Sequence, residues 1–110
     1  MRSIGGNKTL LIQVKSSEKT NRMGEPIQSW ATVYSPKGFL DLITGDSHYN
    51  NYSAKIQEST HIFICDYFEF NHRIDEAKAV IDGVDYDIKL VDDPVGLKKH
   101  LEIYLAKGAI

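Results

Sequence analysis

The sequence has little of what would mark a disulfide-stapled, membrane-spanning or polyanion-binding protein. Among 110 residues there is one cysteine, Cys65, so no intrachain disulfide forms, and no Cys/His spacing reads as a zinc site. A reducing compartment is the setting this implies. Long apolar runs are missing too: Thr9-Leu10-Leu11-Ile12 is too brief for a signal-peptide core and far too brief to cross a bilayer. Synthesis in the cytoplasm, with no membrane partner, is therefore expected. Cations are not in excess. The 13 Lys and Arg are scattered against 15 Asp and Glu, a net charge of −2, whereas tight phosphate-backbone binding needs clustered cations that release counterions. Gly5-Gly6 lacks the lysine and helix of a phosphate-binding loop.

What is present is ordinary globular material, 42% hydrophobic and 25% charged. The length suits one domain over residues 1–110, with no linker-like division. So small a domain buries a modest core, and partner subunits would add stability. The dominant pattern is alternation with a period of two, the mark of a strand with one apolar face. It recurs in six segments: Lys8–Lys15, Gln28–Ser35, Thr60–Tyr67, Ala77–Asp82, Val84–Val91 and Lys99–Lys107. Leu10, Ile12 and Val14 share a face; Trp30, Thr32 and Tyr34 oppose Ala31 and Val33; Tyr86, Ile88 and Leu90 oppose Asp85, Asp87 and Lys89. In the last segment Leu101, Ile103 and Leu105 face inward and Tyr104 outward. His61-Ile62-Phe63-Ile64-Cys65 is apolar on both faces, which predicts a central strand covered on both sides.

Asp82-Gly83 predicts a two-residue hairpin turn, because both positions tolerate positive φ. Ser16–Ser29, with Gly24 and Pro26, reads as a long hairpin tip, and Phe68–Asp75 as a polar connection. Asp41–Ser59 lacks a strand pattern. Tyr49, Tyr52 and Ile56 stand there at helical spacing among poor helix formers, which predicts a mobile loop with at most a short helix. Loops of this length in small domains are usually functional. Six short strands favour a small closed barrel or a sandwich, since closure removes exposed edges.

Tests for chemistry find little. Asp66, His72 and Asp75 lie close in sequence, and a histidine between carboxylates suits a base or a metal ligand. Their setting in a polar connection reads more simply as solvated side chains. Cys65 falls in an apolar strand, where a thiol behaves as a small hydrophobe. Asp82, Asp85, Asp87, Asp92 and Asp93 offer carboxylates to a cation, but in no calcium-loop spacing. Tyr34, Phe39, Tyr49, Tyr52 and Tyr104 could stack bases, yet the cationic half of such a site is missing. For Tyr104 and the loop tyrosines, protein–protein contact is the better account. No catalytic residue, cofactor or metal is assigned.

The order of features then resembles a known family. An N-terminal strand ends Leu11-Ile12-Gln13, a loop carries Gly24, and Trp30-Ala31-Thr32-Val33 precedes a polar excursion. There follow His61-Ile62-Phe63-Ile64, the hairpin at Asp82-Gly83 with Tyr86-Asp87-Ile88, and Val91-Asp92-Asp93-Pro94 before a final strand. Over nearly the whole chain this is similar to the phage head–tail joining proteins, also called head closure or stopper proteins. Cys65-Asp66 departs from them, standing where many relatives carry a basic residue. The resemblance implies an all-β fold, a small six-stranded antiparallel β-barrel with a long loop between its second and third strands. It implies a non-enzymatic virion protein, monomeric or weakly associated alone, that adds as a ring beneath the portal or its adaptor. There it would retain packaged DNA, touch DNA only by its passage, and present a surface to tail proteins. Tyr49, Tyr52, Ile56, Asp92 and Asp93 are the expected subunit or channel contacts. The rival classes are a small barrel that binds a nucleic acid or another ligand, another neck or tail-completion component, and, third, an enzyme built on His72, Asp75 and Asp66.

Overall fold

The computed structural model describes residues 5–43 and 58–107. Within them the chain forms β1 (Lys8–Thr9), β2 (Leu11–Thr20), β3 (Pro26–Tyr34), β4 (Lys37–Leu42), β5 (His61–Asp66), β6 (Ala77–Ile81), β7 (Val84–Asp92) and β8 (His100–Lys107). Helical geometry among them is confined to short turns at Ile74–Glu76 and Pro94–Gly96. Every pairing is antiparallel, in one sheet of order β1-β4-β5-β8-β7-β6-β2-β3. The sheet curls into a half-barrel. Its concave face buries Leu10, Ile12, Phe63, Cys65, Ile81, Ile88, Leu101, Ile103 and Leu105. Each such side chain contributes about 1.5–3 kcal/mol of burial.

The fold is thus all-β, as the alternation predicts, but the closed six-stranded barrel is corrected to an eight-stranded curled sheet. Two strands escape the sequence pattern. β1 is cut from β2 at Leu10, whose N–H leaves the ladder to bond the Pro36 carbonyl at 2.9 Å. β4 carries glycine instead of an apolar residue at the first of its inward positions, Gly38, because the backbone of β5 passes too close for a side chain. The long excursion consequently lies between β4 and β5. Most of it, with Tyr49, Tyr52 and Ile56, falls outside the described residues.

The hairpin at Asp82-Gly83 forms as expected. Ile81 faces Val84, and the two turn residues have φ of 52° and 79°, the paired positive values that suit the twist of the flanking strands. Two bulges re-aim side chains elsewhere. Between β2 and β3 the register passes from Ile12↔Tyr34 to Gln13↔Thr32, leaving Val33 extra. Tyr34 therefore turns to the core side with Ile12, while Trp30 and Thr32 stay outside. The Gln13 amide donates to Thr32 Oγ1 at 3.2 Å, and Lys78 Nζ lies 4.7 Å from the centre of the Trp30 ring. In β7 the register skips Lys89, so Ile88 faces buried Leu105 but Leu90 faces Tyr104 on the convex side. Val91, not Leu90, then packs on the core, opposite Ile103.

Two further expectations change. Only Phe63 and Cys65 of β5 are buried; Ile62 and Ile64 are half-buried on the convex face, so the strand is not fully covered on both sides. The expected hairpin tip Ser16–Ser29 is mostly strand, turning only at residues 21–25, where the Asn21 side chain accepts the N–H groups of Met23 (2.9 Å) and Glu25 (3.0 Å). Ile12–Val14 pair with both β3 and β6, whereas from Lys15 onward β2 pairs with β3 alone, so the hairpin runs past the sheet as a two-stranded arm. The sequence of the arm carries no apolar alternation, which is why it reads as loop.

Candidate functional site

Three connections gather at one end of the half-barrel: β3 to β4, the exit of β5, and β7 to β8. Asp66 at the end of β5 faces His100 at the start of β8, and the Tyr67 N–H reaches the Lys99 carbonyl at 3.4 Å. The acidic residues singled out by sequence do not converge here as a set. Asp82 and Asp92 bracket β7, roughly 30 Å apart at the rise of a strand. At the far end Asp82 pairs with Lys8 (2.5 Å), and nearby Asp85 pairs with Lys78 (3.1 Å). Asp92 and Asp93 alone reach the gathered end.

Asp93 acts as a local clamp. Its carbonyl accepts the Gly96 N–H and its carboxylate the Lys98 N–H, both at 2.9 Å. The clamp holds Val95 at φ 58°, a left-handed conformation rare for a β-branched side chain, with that side chain 90% exposed and neighbouring Leu97 58% exposed. Strain of this kind, of order 1–3 kcal/mol, concentrates at functional positions. Val95→Gly is expected to raise stability by about 1 kcal/mol in urea denaturation, because glycine removes the left-handed penalty and offsets part of it with backbone entropy. A loss of stability would show that the Val95 side chain holds the turn.

An open cleft of about 620 Å³ is lined by Val33, Tyr34, Pro36, Tyr67 and Phe68, with Lys37 and Asp66 adding one charge of each sign. Tyr34 organises one wall: its ring lies 4.9 Å from that of Phe68 and 5.4 Å from that of Phe70. The Tyr34 hydroxyl accepts the Asn71 N–H at 3.0 Å and sits 3.1 Å from His72 Nδ1. The segment expected to be a solvated polar connection is thus anchored by Phe68 and Phe70, both packed against the core. A second, smaller cleft of about 310 Å³ brings Glu58, Asp75 and Asp87 to Lys89, and Glu58 pairs with Lys89 at 3.7 Å.

The residues tested for catalysis do not assemble. His72 turns to Tyr34, Asp75 pairs with Arg73 at 2.9 Å, and Asp66 sits at the end of β5 against His100. Among the described residues no three His, Cys, Asp or Glu side chains gather as metal ligands. Burial, and then the Asp66 charge, push the Cys65 thiol up to about 12, so it is no thiolate at neutral pH. His61 packs edge-on against Tyr86 at 5.1 Å, and burial, then the Lys107 charge, lower its pKa below the ordinary 6.5. The folded state so favours neutral imidazole, and stability declines as pH falls below 6.5.

Of the other aromatics considered, Phe39 is half-exposed on the convex face, and Tyr104 is half-buried there and donates to Glu102 Oε1 at 3.1 Å. Sequence reading missed Val95, Leu97 and the Tyr34–Phe68 cleft. An apolar residue between Pro94 and Gly96 in an acidic turn was the available signal for the first; the cleft has none, since bulge and connection meet only in three dimensions.

The described residues thus form an all-β curled sheet with a projecting hairpin and with apolar side chains held outward at Val95 and Leu97. The sequence matches the phage head completion proteins over residues 1–108, and the chain belongs to that family. No curated protein sequence matches it. The fold is similar to the solution structure of protein SF1141 from Shigella flexneri 2a, with a TM-score of 0.70 at 15% identity, covering 99% of this chain and 98% of that one. Family membership makes this a structural, virion-associated phage protein.

Proposed function

We propose that the protein acts at the neck of the virion as a single 1–110 unit, joining the head to the tail and helping retain packaged DNA. The observation that carries this reading is the family match over residues 1–108 to head completion proteins. In this reading the chain is monomeric when made in the host cytoplasm. It adds as a ring beneath the portal or its adaptor, offers its other side to tail proteins, and performs no catalysis. Ring neighbours bury the outward side chains of Val95 and Leu97, recovering in the assembly what their exposure forfeits in the monomer. Asp92 and Asp93, with Tyr49, Tyr52 and Ile56, supply subunit or channel contacts, and carboxylates facing the passage discourage DNA from sticking.

Complementation of a phage lacking this gene tests the reading. Wild-type protein is expected to restore infectivity, and Asp92→Lys and the double change Tyr49→Ala, Tyr52→Ala to lower particle yield by roughly tenfold or more, the effect of about 1.4 kcal/mol at a contact. Failure of the wild-type protein to restore head–tail joining would reject the role. Full yield from both variants would reject these contacts.

A further inference from the structure

β3 stands last in the sheet order, so its outer edge carries no strand among the described residues. Such an edge offers N–H and C=O groups that only another extended chain can match, and proteins normally blunt it with lysine, proline, shortness or a bulge. The opposite edge is blunted: β1 has two residues, and Lys8 sits on it. β3 is not. It runs for nine residues, has no charged residue from Pro26 to Pro36, and keeps its prolines at those two ends. Trp30, Ala31, Thr32 and Val33 are all exposed, and what blunts the edge, Pro26, the register shift between Ser29 and Ile27 and the bulge at Val33, lies toward its two ends and leaves Ser29–Thr32 regular. An independent observation concerns the same strand. Its last residues, Val33 and Tyr34, form a wall of the cleft completed by Pro36, Tyr67 and Phe68.

We propose that the β3 edge and this cleft are one binding site for an extended segment of another protein, added as a strand along Ser29–Val33 with an apolar side chain seated in the cleft. In this mode main-chain bonds supply affinity and the side-chain pocket supplies selectivity. The segment is uncharged over β3, since a charge laid there would lose water with no partner on a strand that has none. A second copy of this chain fits less well. The two-residue β1 edge is too short to receive β3 head to tail, and β3 pairing with its own copy about a two-fold axis closes a dimer instead of a ring. The site deepens the proposed function, which supplies the source of the segment: a neighbouring virion protein.

Trp30 is the one tryptophan and lies on the strand in question, so its emission reports occupancy directly. The probe is a set of overlapping 12-residue synthetic peptides covering the portal, adaptor and tail-completion proteins of the same phage. At least one is expected to shift Trp30 emission and to slow exchange of the outward amides within Ser29–Val33. Ala31→Lys should weaken that peptide at least tenfold at an unchanged melting temperature, and Phe68→Ala should weaken it as well. The exchange measurement on wild-type protein needs no variant to fold. Three results overturn the proposal: no peptide binds; a peptide binds and leaves these amides unprotected; or the protein alone forms a concentration-dependent dimer that Ala31→Lys abolishes. In each case wild-type protein still restores infectivity in the complementation assay if the head–tail role stands, so the two failures are distinguishable.

Discussion

Gly38→Ala is expected to destabilise the protein by about 3 kcal/mol, a large effect for one added methyl group. A Cβ at this position would run into the backbone carbonyl of Ile64 on the paired strand, and would stand 2.9 Å from the Phe63 ring and 3.0 Å from the Cys65 Cβ. The first obstacle is main chain and cannot rotate away, so β4 must part from β5 along Gly38–Leu42. Crowding extends further, because a Cβ on Gly6 would in turn meet the backbone of Gly38. Gly83→Ala serves as the contrast: φ is 79° with open space around it, so left-handed strain alone acts, at about 1–2 kcal/mol. Equilibrium urea unfolding of the two variants separates them. Equal losses would show that close approach of backbones does not govern position 38.

Phe63→Ala is expected to lower stability by about 3–5 kcal/mol, measured the same way. Phe63 is fully buried on β5, opposite Leu40 of β4 and Ile103 of β8, and belongs to the cluster formed by the concave face. Truncation removes transfer energy and leaves a cavity in a sheet whose curl is set by those contacts. Against a usual total of about 5–15 kcal/mol this is a third or more of the stability of a small domain. The outward surfaces are untouched, so any protein that still folds should bind its partners with unchanged affinity. A loss below about 1 kcal/mol would mean that the concave face repacks freely and is not the closely packed core that sets the sheet.

The physical range of a signal decides how legible each element is. β8 reads cleanly because Leu101, Ile103 and Leu105 alternate with half-buried residues without a break. The hairpin at Asp82-Gly83 reads cleanly because turn chemistry is local. Leu90 was misplaced because the bulge at Lys89 depends on how β7 meets β8, and one skipped residue moves every later side chain to the other face. β4 escapes the sequence pattern because glycine holds one of its inward positions and leaves Leu40 alone to mark the face, and the reason for that glycine lies in the backbone of a strand far along the chain. Of the candidate contacts, Asp92 and Asp93 were found by sequence as an acidic pair, but the work of Asp93 in clamping Val95 outward is visible only from its hydrogen bonds.

By itself the sequence determined that this is an antiparallel β protein without a metal-binding or nucleophilic motif, and it carried a resemblance to head–tail joining proteins. Those properties follow from side-chain period, turn residues and residue type, each read within a few positions. Tertiary structure alone decided that eight strands curl without closing, that β3 is left as an open edge among the described residues, and that Tyr34 and Phe68 meet at one cleft. Strand order and bulges arise from contacts between segments distant in the chain, where the energy of packing and pairing, not local preference, selects the arrangement.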